Sequence, residues 1–188
     1  MNECDLKNSG SDFTGRTSDC RLPTSDRIDS EAAQRAKVVE TARSWVGTPY
    51  HNCADIKGVG VDCGMLLVRV FVDSGLVAPF DPRPYPADWH LHRSEEKYLG
   101  FVFDRGREVG DPRAGDVMVM RIGRCYSHGG IVTAAAPLTI VHAYFQARRV
   151  IEEDVARNSR LSAAARKPRF FSFWAAQKPE IRSRKPEI

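Results

Sequence analysis

No run of apolar residues in this 188-residue chain approaches the roughly 20 needed to cross a bilayer. The longest, Met65 to Val72, is interrupted by Arg69. The opening MNECDLKNSGSDFTGRTSDC lacks the apolar stretch of a secretory signal, so synthesis in a reducing cytoplasm is expected, with delivery by some route other than general secretion. Cysteine is sparse: Cys4, Cys20, Cys53, Cys63 and Cys125 are odd in number and irregular in spacing, which gives no disulfide framework. Neither sign of charge dominates. Lys and Arg total 28 against 24 Asp and Glu, and a net +4 is too small to argue for nucleic acid. His51-x-Cys53 together with Cys63 lacks the paired spacing of a zinc site, and Gly58-Val59-Gly60 is too short for a phosphate loop. Neither a metal nor another cofactor is expected, nor a nucleic-acid or membrane partner.

What remains is the composition of a globular chain, 42% apolar and 28% charged, long enough to bury one core without staples. Residues 1–29 are rich in Ser, Thr, Asp, Asn and Gly and read as a flexible leader. Residues 178–188 repeat Lys-Pro-Glu-Ile and read as a solvated basic tail, leaving a domain over 30–177. Within it, Asp29 or Ser30 is positioned to cap a helix carrying Val38, Ala42, Trp45 and Val46 at one-face spacing, ended by Gly47 and Pro49. Asp62 caps a second helix over 62–75 that is apolar nearly all round and stops at Gly75. Four prolines between Pro79 and Pro86 dictate an irregular loop, and 94–102 suggests a short helix. Strands are expected at Val117–Ile122, Gly130–Thr133, Thr139–Tyr144, Val150–Val155 and Phe170–Trp174. Helices followed by strands indicate an α+β fold, the 62–75 helix lying on an antiparallel sheet.

Of the five cysteines only Cys63 falls at a predicted helix N-terminus, where free amides and the helix dipole favour a thiolate and an oxyanion. A thiol nucleophile also needs a base. His128 and His142 sit in or beside consecutive strands, and a hairpin turning around Ala134–Pro137 is expected to set them directly opposite each other. That pairing makes them base and orienting partner to Cys63. Gly129-Gly130 leaves room for a substrate backbone. Asp62 reads as a helix cap, Asp116 as a turn or strand-start residue, and Cys53 as a packing or loop residue.

Five motifs then align in order: Gly47-Thr48-Pro49-Tyr50, Val61-Asp62-Cys63-Gly64, Gly115-Asp116-Val117, Ser127-His128-Gly129-Gly130-Ile131 and Val141-His142-Ala143. In this order and context the chain resembles the NlpC/P60 cysteine peptidases, most closely the branch found in phage and prophage tails. The resemblance covers about Val38 to Val155. It implies a papain-like α+β core and hydrolysis of peptidoglycan stem peptides, commonly at the γ-D-glutamyl–diaminopimelate bond. It also implies Cys63 as nucleophile, His128 as general base and acid, His142 as the polar third member and Tyr50 as a helper of oxyanion or substrate. Two departures stand out: Gly64 replaces the usual Ser after the nucleophile, and a longer 51–58 segment replaces the usual Gly-Gly after Pro-Tyr. The expected partners are stem peptides and phage tail proteins, the expected location a phage-like particle or the cell wall. Two other roles use the same residues: a tail-assembly protein that docks or processes tail proteins, and an amidase or acyltransferase.

Overall fold

Why the first helix seats where it does is decided by one buried cation. The computed structural model describes residues 24–85 and 96–174. Helix α1 spans Thr24–Arg43, beginning at Thr24 rather than at Asp29 or Ser30, so residues 24–29, expected in the leader, are helical. Val38, Ala42 and Trp45 are buried, but Val46, in the turn that follows the helix end at Arg43, is exposed. Arg35, on the same helix, is buried and donates to the Asp116 carboxylate at 2.8 Å and to Ser172 Oγ at 2.9 Å. Its guanidinium also lies 4.1 Å from the Trp174 ring centroid. Asp116 thus does more than start a strand: it anchors α1 to the sheet through a buried charge pair, of the kind that costs about 3–5 kcal/mol when one partner is removed.

Helix α2, Cys63–Asp73, is the second predicted helix. Asp62 caps it as expected, its Oδ1 accepting from the Met65 amide at 2.8 Å. Apart from Gly64 and Arg69, the residues from Cys63 through Phe71 are buried, the apolar-all-round pattern of a central helix. A two-stranded ribbon, β1 (Asp55–Ile56) and β2 (Gly60–Val61), occupies the longer segment before it, which the sequence gave no alternation to reveal. Helix α3, Lys97–Phe103, lies within one to three residues of the expected short helix. Residues 79–85 form no helix or strand. Residues 1–23, 86–95 and 175–188 lie outside the described residues, and with them most of the leader, Pro86, His90, His92 and the Lys-Pro-Glu-Ile tail.

Six antiparallel strands form the sheet: β3 (Arg107–Val109), β4 (Val117–Ile122), β5 (Cys125–Ala135), β6 (Leu138–Tyr144), β7 (Arg149–Asp154) and β8 (Arg169–Ser172), in spatial order β3-β8-β4-β5-β6-β7. Only β3, with two exposed residues in three, carried no readable strand pattern. Alternation splits the sheet side chains between two cores. Val117, Val119, Ile131, Val141, Ala143 and Phe171 pack with the helices. Met118, Met120, Val132 and Ile140 point the other way, onto Val155 and Leu161 from the chain that follows β7.

The β5–β6 hairpin is two residues out of the expected register: Ile131 faces Val141, where the predicted pairing set it against Thr139. A second irregularity falls between Val132 and Ala134. An even slip leaves every side chain on its predicted face, whereas a one-residue slip would have inverted them. His128 and His142 are consequently diagonal rather than directly opposed neighbours, still on one side of the sheet and still within reach of each other.

Candidate active site

Cys63, His128 and Tyr50 border one cavity of about 670 Å³, together with Tyr85, Tyr144, Arg160 and Arg166. The cavity gathers residues from both faces of the sheet. Cys63 reaches it from the first turn of α2. His128 lies opposite Met120 on β4, on the face away from that helix. The Cys63 thiol meets β5 at an irregularity beside Ser127, donating to the Ser127 carbonyl at 3.6 Å, one residue before His128.

Cys63 is 8% exposed, and burial, followed by the Asp62 carboxylate, pushes its thiol up to about 12. Backbone amides of Gly129, Cys63 and Gly64 work in the opposite direction, as expected of a helix N-terminus, but do not prevail. The help that the helix N-terminus was expected to lend a thiolate is present, but enclosure and the cap's own charge outweigh it. His128 is shifted the complementary way. Burial, then the adjacent His142, then Arg166 hold its imidazole well below the usual range, so it rests neutral. At neutral pH the site holds a thiol and a neutral imidazole rather than an ion pair.

His128 Nε2 and His142 Nδ1 are 2.8 Å apart. This bond commits one ring nitrogen of His128 and leaves Nδ1 for the cavity. His142 is fully buried and stacks on Tyr144, with centroids 4.9 Å apart. Its Nε2 lies 2.9 Å from Glu153 Oε1, and the same oxygen accepts from Asn158 Nδ2 at 3.0 Å. Glu153 was not a candidate from sequence, since Glu152-Glu153 reads as an ordinary solvated strand end and nothing local marks which carboxylate turns inward.

Tyr50 lies on the cavity wall, its ring edge-on to Phe145 at 5.6 Å. Burial, and then the nearness of Cys63, raises its phenol further above its usual range, so the hydroxyl keeps its proton and remains a donor. Asp62 does more than cap. Its carboxylate also accepts the Cys53 amide at 2.7 Å and the Tyr85 hydroxyl at 2.8 and 2.9 Å, binding three segments together. Cys53 has a positive φ of 56° and donates its thiol to the Tyr85 carbonyl at 3.4 Å, in keeping with a loop role. Gly129 and Gly130 do not open room for a substrate backbone. A Cβ on Gly129 would collide with the Tyr98 hydroxyl, and one on Gly130 would stand 2.9 Å from the Val141 carbonyl and 3.0 Å from the His142 Cβ. The glycines let Tyr98 and His142 close in, and Tyr98 donates to the Cys63 carbonyl at 3.3 Å.

No family model matches the sequence, and no curated protein matches it significantly. Solved structures do resemble it. The peptidoglycan hydrolase RipB from Mycobacterium tuberculosis aligns over 87% of this chain and 74% of its own at 18% identity, with a TM-score of 0.53. The chain shares the α+β fold of RipB. The NlpC/p60 domain of the peptidoglycan hydrolase SagA also aligns, over 72% of this chain and 96% of its own, at 18% identity and a TM-score of 0.46. The arrangement the motif resemblance implied, an N-terminal helical part with the Cys63 helix packed on an antiparallel sheet, is present in the described residues.

Proposed function

We propose that this chain is a cysteine peptidase of NlpC/P60 type that hydrolyses peptidoglycan stem peptides, at the γ-D-glutamyl–diaminopimelate bond, as part of a phage or prophage tail. The observation that carries the reading is that His128, hydrogen-bonded to the buried His142, borders the same cavity as Cys63 at the head of α2. The fold shared with a peptidoglycan hydrolase supports the substrate class. The tail context rests on the motif resemblance.

Because both groups rest neutral, the reaction begins with coupled proton transfer. The Cys63 thiol passes its proton to His128 Nδ1 as sulfur attacks the amide carbonyl. The tetrahedral oxyanion is met by backbone N–H groups at the start of α2 and by the Tyr50 hydroxyl. His128 then protonates the leaving amine, and a thioester on Cys63 remains. Water, deprotonated by His128, cleaves the thioester to a carboxylate and restores the thiol. His142 holds the His128 ring throughout. Entry of a peptide excludes water and draws the long resting contacts of such sites into reacting distance.

The test is digestion of purified sacculi followed by mass spectrometry of the released muropeptides. The active chain yields new γ-D-glutamyl carboxyl and diaminopimelate amino termini, and Cys63→Ala yields none. Equal release by Cys63→Ala would reject the mechanism. Termini at the amide joining stem peptide to sugar would reassign the bond and make the enzyme an amidase.

A further inference from the structure

We propose that Glu153 is a positioning residue that sets the direction of the two-histidine hydrogen-bond chain and so keeps His128 Nδ1 unprotonated toward the cavity. The consequence for catalysis rests on the preceding reading of His128 as the base, whereas the tautomers themselves do not.

A hydrogen bond between two neutral imidazoles has two equivalent directions. Either His128 donates from Nε2 to His142 Nδ1, or His142 donates from Nδ1 to His128 Nε2. With a single N–H on each ring, which is part of what is proposed, the second arrangement puts the His128 proton on Nδ1, where it cannot accept from a thiol. Nothing within the pair at 2.8 Å selects between them. The selection comes from the far end of the chain. An ionised carboxylate is acceptor-only, and Glu153 is held ionised, its carboxyl brought below the usual range chiefly by the bond to His142, which burial opposes and the bond from Asn158 reinforces. His142 must therefore carry its proton on Nε2, 2.9 Å from Glu153 Oε1. Its Nδ1 becomes an acceptor, His128 must donate from Nε2, and His128 Nδ1 is left bare. Asn158 Nδ2, donating to the same Glu153 oxygen at 3.0 Å, holds that oxygen on His142. Glu153 acts from β7 across β6 to β5 and touches neither sulfur nor cavity, which makes it a positioning residue and not a catalytic one.

The experiment needs no substrate. In the full chain with labelled histidine, long-range ¹⁵N–¹H correlation spectra report which ring nitrogens carry protons. In parallel, the rate at which iodoacetamide alkylates Cys63 at neutral pH is followed by mass spectrometry of its peptide, separately from the other cysteines. The wild-type chain should show both His128 and His142 protonated on Nε2. Glu153→Ala leaves His142 Nε2 to water, which donates as readily as it accepts. An Nδ1–H form should then appear at both rings, with Cys63 alkylation about tenfold slower. In Glu153→Gln, Asn158 keeps the amide oxygen toward His142, so this variant should restore the single Nε2–H pattern, a rescue that loss of packing alone does not produce. An Nδ1–H on His128 in the wild-type chain would overturn the proposal even if the alanine variant failed to fold. So would Glu153→Ala with unchanged tautomers and an unchanged alkylation rate. If the tautomers behave as stated while sacculi remain intact, the peptidoglycan reading fails and the positioning role stands.

Discussion

Two carboxylates flank the candidate site, and they act on charge in opposite senses. On the thiol side, Asp62 caps α2 and gathers the Met65 and Cys53 amides and the Tyr85 hydroxyl, yet its charge opposes a thiolate and helps drive Cys63 to about 12. On the imidazole side, the Glu153 carboxylate bonds His142 and Asn158, and its charge favours the imidazolium that the proposed proton transfer from the thiol would form. One acidic residue keeps the sulfur at rest, and the other prepares the base. A carboxylate near an active site is thus neither activating nor inhibiting by nature; what decides is which reacting group it neighbours.

The largest effect that tests this contrast is on the reacting groups themselves. Cys63→Ala should cut stem-peptide release by on the order of 10⁶-fold, the scale of removing a nucleophile, with an unchanged circular dichroism spectrum. On the imidazole side, His142→Ala should cost on the order of 10⁴-fold in kcat, the scale for the third member of a triad, with KM little altered in steady-state assays on a soluble stem peptide. On the thiol side, Asp62→Asn keeps a capping side chain but removes the charge. It should move the midpoint of Cys63 alkylation against pH downward from about 12, and a midpoint that stayed or rose would break the comparison. The smallest effects concern stability. Gly129→Ala, which drives a methyl into the Tyr98 hydroxyl, should lower unfolding free energy by about 1–3 kcal/mol in urea titrations. Finally, Cys63 holds its proton in the fold after the unfolded chain has released it. Between about pH 9 and pH 12 the wild-type chain should therefore lose stability relative to Cys63→Ala, with no such divergence below pH 9.

Much of this architecture is written in local pattern. Val117–Ile122 and the capped, wholly apolar helix after Asp62 need only periodicity and a capping residue to be seen. Cys63, His128 and His142 could be nominated because position in an element already restricts what a side chain can do. The hairpin register could not be read, because apolar alternation specifies which face a residue occupies but not which partner it meets, and β5 and β6 pair equally well after a two-residue slip. Tyr98, Tyr85 and Glu153 were invisible for a different reason: each matters through contacts made across the fold, and nothing in the neighbouring residues signals them. The same applies to Arg35, whose place in α1 looks like an ordinary solvated position until Asp116 and Ser172 are brought beneath it.

Because a single carboxylate fastens the head of α2, the turn at Cys53 and Tyr85 on the cavity wall, the wall of the cavity and the seat of the sulfur share one knot. A guest broad enough to prise the tyrosine away also loosens the ground on which the attacking atom stands. On the peptidase reading proposed above, a narrow peptide enters without that penalty, which makes girth beside the bond to be cleaved a criterion of selection in its own right.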